Sequence, residues 1–332
     1  MSGLVALVAL IGVLAVQPRL RSAASSKIRA AVDFPKSLAG SRAERSLSRG
    51  DFTDIVFLHH SVGSNLIAQG SVRERLAEVG YSLWDHGYNY QGLTRPDGSQ
   101  AGYSYAVPDD NTDPDGLARI FAQPVFPWPA NTFSRLLQHE VIVVKSCYLA
   151  NHMSTDDQLA QYKRYYLTMR EAMDEHPDKL FIVATMPPRN QAETDAKAAA
   201  RARALSEWLT SNEYLDGHPN LAVFDLFHPL AENRVNATDY NTLKEAYRDG
   251  SDSHPNRHAN EEIGPLFAQF VDEAVQRYRA SRSASQMPIT TPGASNEKGP
   301  GPETEAQASR GRVTCAIPSP PRSRQAVSQS AR

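Results

Sequence analysis

Cysteine is nearly absent from this chain. Only Cys147 and Cys315 occur in 332 residues, which excludes a disulfide framework and a cysteine-based zinc site. An excess of charge of one sign is missing as well. A formal net charge of −2 offers no electrostatic footprint for a polyanion, so nucleic acid is not an expected partner. No apolar run reaches the roughly 20 residues that a spanning helix needs. The longest, Leu4 to Val16, has the length of a signal-peptide core, and Ser22-Ala23-Ala24-Ser25 supplies small residues for cleavage. No Lys or Arg precedes that run, whereas Arg19 and Arg21 follow it. Residues 1–25 are read as a signal peptide or membrane anchor, which predicts a secreted or periplasmic protein, tethered to a membrane if the segment is retained.

Aromatic residues are scarce beyond Ser281, where Ser, Pro, Gly, Gln and Arg dominate. Such a stretch cannot bury enough apolar surface to offset its ordering entropy, so residues 281–332 are expected to be a disordered tail. Residues 26–50, rich in Ser, Arg and Ala, read as a linker. What remains, residues 51–280, has the size of one large domain. The whole chain's 41% hydrophobic and 22% charged residues are ordinary for a globular protein.

Within that region, short apolar runs alternate with helical periodicity. Strands are expected at Ile55–Leu58, Tyr81–Trp84, Val141–Val144, Leu180–Thr185 and Leu221–Phe224, each bounded by turn residues. Helices are expected over Ser71–Val79, Gln158–Glu175, Ala192–Ser211 and Glu261–Ala280. The stripe Tyr162, Tyr165, Tyr166, Met169 and Met173 marks a core-facing helix side. The pattern predicts a three-layer α/β/α fold around a mostly parallel, five-stranded, flavodoxin-like sheet. In such folds sites gather past the carboxyl ends of strands. Ser61, Asn89, Ser146, Pro187 and Asp225 all fall there.

Two segments carry chemistry. Ile55-Val56-Phe57-Leu58-His59-His60-Ser61-Val62-Gly63 runs an apolar strand into a serine on a tight turn. Nearly two hundred residues later, Gly250-Ser251-Asp252-Ser253-His254-Pro255-Asn256 places an acid and a histidine two residues apart, ahead of a helix. A serine to attack, a histidine to take its proton and an aspartate to orient the histidine are the parts of an activated nucleophile. Each has a plainer reading: Ser61 could cap a helix, and Asp252 or its competitor Asp249 could simply make a turn.

On these residues the chain resembles the SGNH or GDSL-like hydrolases. In that family a nucleophilic serine follows the first strand and an Asp-x-x-His-Pro element lies near the domain's carboxyl end. The resemblance covers about residues 52–278 and implies Ser61 as nucleophile, His254 as base and Asp252 as acid. It also implies an oxyanion or substrate-binding role for Asn89, Gly92 and Ser146, the last from the loop Lys145-Ser146-Cys147-Tyr148. The family's Gly-Asp before the serine is His59-His60 here, and Ser251 stands where its pattern places the acid. An esterase acting on acyl groups of carbohydrate or lipid, without cofactor or metal, is the expected function.

Alternatives remain open at this point. A catalytically degenerate relative that binds glycan would show the same altered motifs. His59, His60, Asp252, His254 and His258 offer nitrogen and oxygen donors for a divalent metal. An α/β-hydrolase would use Ser61, Asp225 and His254, but in that fold several strands precede the nucleophile. The aromatic loop with Trp84, Tyr88, Tyr90, Tyr103 and Tyr105, and the long insert from Gly92 to Phe133, are expected near the rim of the site.

Overall fold

The computed structural model describes residues 18–286; the apolar run Leu4–Val16 and the tail beyond Gln286 lie outside them. A helix α1 (Pro18–Leu47) leads into strand β1 (Asp54–Leu58). Helices α2 (Ser61–Gln69) and α3 (Val72–Glu78) precede β2 (Ser82–His86) and a two-residue β3 (Leu93–Thr94). Helix α4 (Pro114–Phe121), β4 (Val141–Lys145), α5 (Asp156–Asp174), β5 (Leu180–Ala184), α6 (Ala196–Leu209), β6 (Leu221–Phe224) and α7 (Arg257–Gln286) follow.

The sheet order is β3-β2-β1-β4-β5-β6. All five strands expected from the sequence pair in parallel. The sixth, β3, is an antiparallel edge strand held by Asp85 opposite Thr94 and His86 opposite Leu93. It was not expected because two residues carry no periodicity. The chain reverses direction through the sheet between β1 and β4, and their carboxyl ends form the switch point at which α/β folds build sites.

Side chains alternate along each strand and so define two cores. Val56, Leu58, Ile142, Val144, Phe181 and Val183 face α4, α5 and α6, where Tyr166, Met169 and Met173 are buried. Ile55, Phe57, Val141, Val143 and Ile182 face α2, α3 and α7. This is the three-layer arrangement that the apolar strands imply.

The segment expected as a linker is helical. Within α1, Asp33, Ser37, Ser41 and Glu44 are buried although polar. Asp33 accepts a hydrogen bond from the Ser104 amide at 3.1 Å, and Glu44 accepts from Tyr105 Oη at 2.7 Å and from the Tyr103 hydroxyl. Tyr103 reaches Glu44 past Gly40, where a Cβ would lie 2.4 Å from the Tyr103 hydroxyl. Composition concealed this because α1 packs by hydrogen bonds rather than an apolar stripe. At the far end, α7 runs through Gln286, beyond the expected domain limit at 280.

The same network holds His139. Its Nδ1 lies 3.2 Å from Asp54 Oδ2 and its Nε2 lies 2.7 Å from Tyr105 Oη and 3.5 Å from Glu44 Oε2. Burial alone would drive its proton off, but Asp54 and Glu44 outweigh that and lift its pKa to about 9. A histidine raised in the folded state stabilises fully below its ordinary pKa of 6.5, and that contribution is lost as pH rises through about 9. Thermal melts should therefore show a midpoint falling between pH 7 and 10, with the slope flattened in His139→Asn. A chain starting at residue 48 strands Tyr103 and His139 without Glu44. Its midpoint should fall by roughly 5 °C or more, and calorimetry showing equal midpoints would remove α1 from the domain.

Candidate active site

Strand β1 is buried along its whole length, and the His59 amide extends its ladder by donating to His86 O at 3.0 Å. His60 stays extended (φ −127°, ψ −154°), and the chain then turns into α2 with Ser61 as its first residue. The two histidines diverge. His59 Nε2 bonds Asp85 at 3.1 Å, and Asp85 is also paired with Arg73. His60 turns towards the insert, stacks on Tyr88 with centroids 4.1 Å apart, and places Nδ1 3.1 Å from Thr112 Oγ1.

Across the cleft, His254 belongs to a loop pinned from below. Asn190, just past β5, donates from Nδ2 to Gly250 O at 2.9 Å and Asp252 O at 3.0 Å, while its amide donates to Ser253 Oγ at 2.9 Å. Ser253 is fully buried and donates to Glu193. Asn256 Oδ1 accepts from the Ala259 amide at 3.0 Å and caps α7.

The two halves meet at hydrogen-bond distance. Ser61 Oγ lies 2.7 Å from His254 Nε2, and His254 Nδ1 lies 2.8 Å from Asp252 Oδ1 and 3.0 Å from Oδ2. Burial opposes ionisation of Asp252, yet hydrogen bonds from the His254 ring and amide hold its carboxyl below the usual value. An ionised Asp252 fixes the proton of His254 on Nδ1, leaving Nε2 free to accept from Ser61. Tyr148 meets the His254 ring edge-on at 4.7 Å. Asp249 contacts Asn256 at 3.4 Å instead, so Asp252 is the acid that the fold presents to His254.

A helix contact sets this geometry. Ser61 opens α2, and His254 lies three residues before α7. These helices touch backbone to backbone: a Cβ on Gly264 would stand 2.2 Å from Gly70 O, and one on Gly70 would stand 2.6 Å from Asn260 O. Asn260 Nδ2 also donates to Gln69 Oε1 at 2.8 Å and Pro255 O at 3.0 Å. Gly264, Asn260 and Asn190 were not singled out in the sequence.

Two of the residues expected to receive an oxyanion hold their side chains to neighbouring groups. Asn89 commits its carboxamide to Val107 O, the Val107 amide and Ser104 Oγ, at 2.8 to 2.9 Å. Ser146 is buried, with Oγ 3.0 Å from Tyr166 Oη and its carbonyl accepting from Lys145 Nζ at 2.8 Å. Gly92 lines a groove beside α2. A polar residue past a strand end also finds partners in a neighbouring loop. Among the aromatic residues, Trp84, Tyr103 and Tyr105 are buried in the core.

The donors named for a metal are each bonded to a different neighbour. His59 pairs with Asp85, His60 with Thr112, and His258 with Glu262 at 3.3 Å. Among the described residues no group of three or more His, Cys, Asp or Glu side chains gathers to hold an ion. Asp225 accepts from the Phe227 and His228 amides at 3.1 Å and bonds His228 Nδ1 at 2.7 Å, not His254.

A second polar cluster lies behind Ser61. Burial would lower the His60 pKa, but Asp110 and Cys147 raise it on balance. Burial would raise the Cys147 thiol, but His60 and Lys145 bring it down. Lys145, buried completely, is pushed down to about 8 by desolvation against the pull of Cys147 and Asp113.

No protein-family model and no curated protein matches the sequence. Among solved structures there is similarity to a candidate acylhydrolase from Bacteroides fragilis, at 12% identity and a TM-score of 0.40, covering 71% of this chain and 95% of that one.

Two substitutions test the geometry. Gly264→Ala forces a Cβ onto a backbone oxygen, and overpacking of this kind costs about 1–3 kcal/mol. A lower thermal midpoint is expected and, should Ser61 act as the nucleophile of an ester hydrolase, a drop in hydrolysis of 4-nitrophenyl acetate of up to roughly a hundredfold as Ser61 and His254 separate. Asp252→Asn should slow the same reaction by about tenfold or more at neutral pH, because the Asn side chain favours the wrong imidazole tautomer. Asp249→Asn should leave the rate within about twofold; the reverse ranking would identify Asp249 as the acid.

Proposed function

We propose that this protein is a serine-dependent ester hydrolase, with Ser61 as nucleophile, His254 as general base and acid, and Asp252 as the group that orients His254. The observation that carries the reading is the pair of contacts on the His254 ring, 2.7 Å to Ser61 Oγ and 2.8 Å to Asp252 Oδ1. A serine that merely caps a helix has no need of a histidine and carboxylate in line behind it.

In the first half-reaction, His254 Nε2 takes the Ser61 proton as Oγ bonds to the ester carbonyl carbon. The tetrahedral intermediate collapses, the alkoxide leaves with the proton from His254, and an acyl-serine remains. Water then attacks that acyl carbon while His254 again takes a proton. Loss of the Ser61 oxygen, reprotonated by His254, releases the carboxylic acid. The developing oxyanion sits at the amino end of α2, where the first-turn N–H groups have no intrahelical partner and the helix dipole favours negative charge.

An exported enzyme, secreted or periplasmic and tethered if its first residues are retained, accords with the apolar run Leu4–Val16. A carbohydrate or lipid ester is the substrate class this location favours.

Ser61→Ala should lower hydrolysis of 4-nitrophenyl acetate by roughly a thousandfold or more and abolish labelling by a fluorophosphonate probe. The thermal midpoint should stay within a few degrees. Wild-type turnover or labelling in that variant removes Ser61 from the mechanism. An unlabelled wild-type protein with no esterase activity favours a binding module.

A further inference from the structure

One helical turn beyond Ser61, a groove of about 430 Å³ opens between α2 and the loop that follows β2. Its volume falls within the range of small-molecule sites. Ser64 shares the Ser61 face of α2, since residues three apart are neighbours about 5–6 Å away, so the groove begins beside the nucleophile.

The lining is polar. Ser64, Gln91, Thr94 and Gln100 bring hydroxyl and carboxamide groups, and among the described residues Ser64 Oγ has no partner within the protein. Asp85, the charged member, is neutralised by Arg73 and hydrogen-bonded to His59. None of the lining side chains is cationic, and none is aliphatic beyond a threonine methyl. A fatty acyl chain finds no apolar wall there, and a phosphate or carboxylate finds no counter-charge.

At the rim, Tyr90 is 68% exposed. Its ring is not loose: it stacks on Tyr88 at 5.5 Å and 17°, and Tyr88 stacks on His60 at 4.1 Å and 16°. The stack runs from His60, next to Ser61, to Tyr90 at the edge of the groove. A flat aromatic face beside clustered hydroxyl and amide groups matches a pyranose ring, which has apolar C–H faces and a rim of neutral hydroxyls.

We propose that this groove is a carbohydrate subsite, with Tyr90 as its stacking platform, so that the esters cleaved at Ser61 are O-acyl groups on a neutral glycan. The assignment of the ester rests on the serine-hydrolase reading above; the binding of sugar by the groove does not.

The test compares full-length wild type, Tyr90→Ala and Tyr90→Phe on acetylated xylo-oligosaccharide and on 4-nitrophenyl acetate. In Tyr90→Ala the ratio of kcat/KM for the oligosaccharide to that for 4-nitrophenyl acetate should fall tenfold or more, through KM, whereas Tyr90→Phe should keep it. An unchanged ratio, failure to deacetylate the oligosaccharide while 4-nitrophenyl acetate is consumed, or faster turnover of 4-nitrophenyl decanoate overturns the proposal. Should both esters prove inert, the serine reading fails by itself. Saturation-transfer NMR with the deacetylated oligosaccharide then decides the groove. A sugar signal in wild type that Tyr90→Ala abolishes upholds the subsite; a signal that survives in Tyr90→Ala, or none in wild type, overturns it.

Discussion

The backbone contact between Gly70 and Gly264 governs the site more than any polar bond within it. Ser61 and His254 are 193 residues apart in sequence and stand at the amino ends of two different helices. A hydrogen bond of 2.7 Å between them tolerates little play in how those helices pack. Two glycines remove the side chains that would hold α2 and α7 apart, and Asn260 adds hydrogen bonds across the same junction. Packed backbone does not deform gradually, so the junction behaves as a fixed spacer behind Ser61.

Polar groups beneath the site are arranged in compensated sets. Arg73 and His59 share Asp85, Asp54 and Glu44 share His139, and Asn190 satisfies two carbonyls of the His254 loop. Burying charge is costly unless it is paired, and each set ties separate elements together: α3 and the end of β1 to β2, α1 and the start of β1 to the turn before β4, and the loop past β5 to the turn before α7. The Asn190 bonds fix the loop that aims His254 at Ser61, whereas the His139 set lies at the amino ends of β1 and β4. Helix α1 is tied into this scheme through Glu44 and Asp33.

The five parallel strands were legible because each is a short, continuous apolar run, and the long helices because their apolar residues recur at three and four. Ser61, Asp252 and His254 could be singled out because local sequence places a serine past a strand and an acid two residues before a histidine. The same local reasoning drew Asn89 and Ser146 towards the oxyanion and made α1 a linker. Nothing within a few residues of Asn89 shows that Val107 and Ser104 consume its carboxamide, and nothing near Glu44 shows that two tyrosines await it.

Sequence by itself determined the layer architecture and singled out Ser61 and His254 at the meeting point of α2 and the loop before α7, since periodicity and motif are local properties of the chain. Only the tertiary structure decided which acid faces His254, where the loop amides and hydroxyls turn, that α1 packs into the domain, and that Tyr90 rather than Trp84 or Tyr105 remains exposed. Those outcomes depend on hydrogen-bond partners and backbone approaches across the fold. A polar group commits to whichever partner the packed chain brings within about 3 Å.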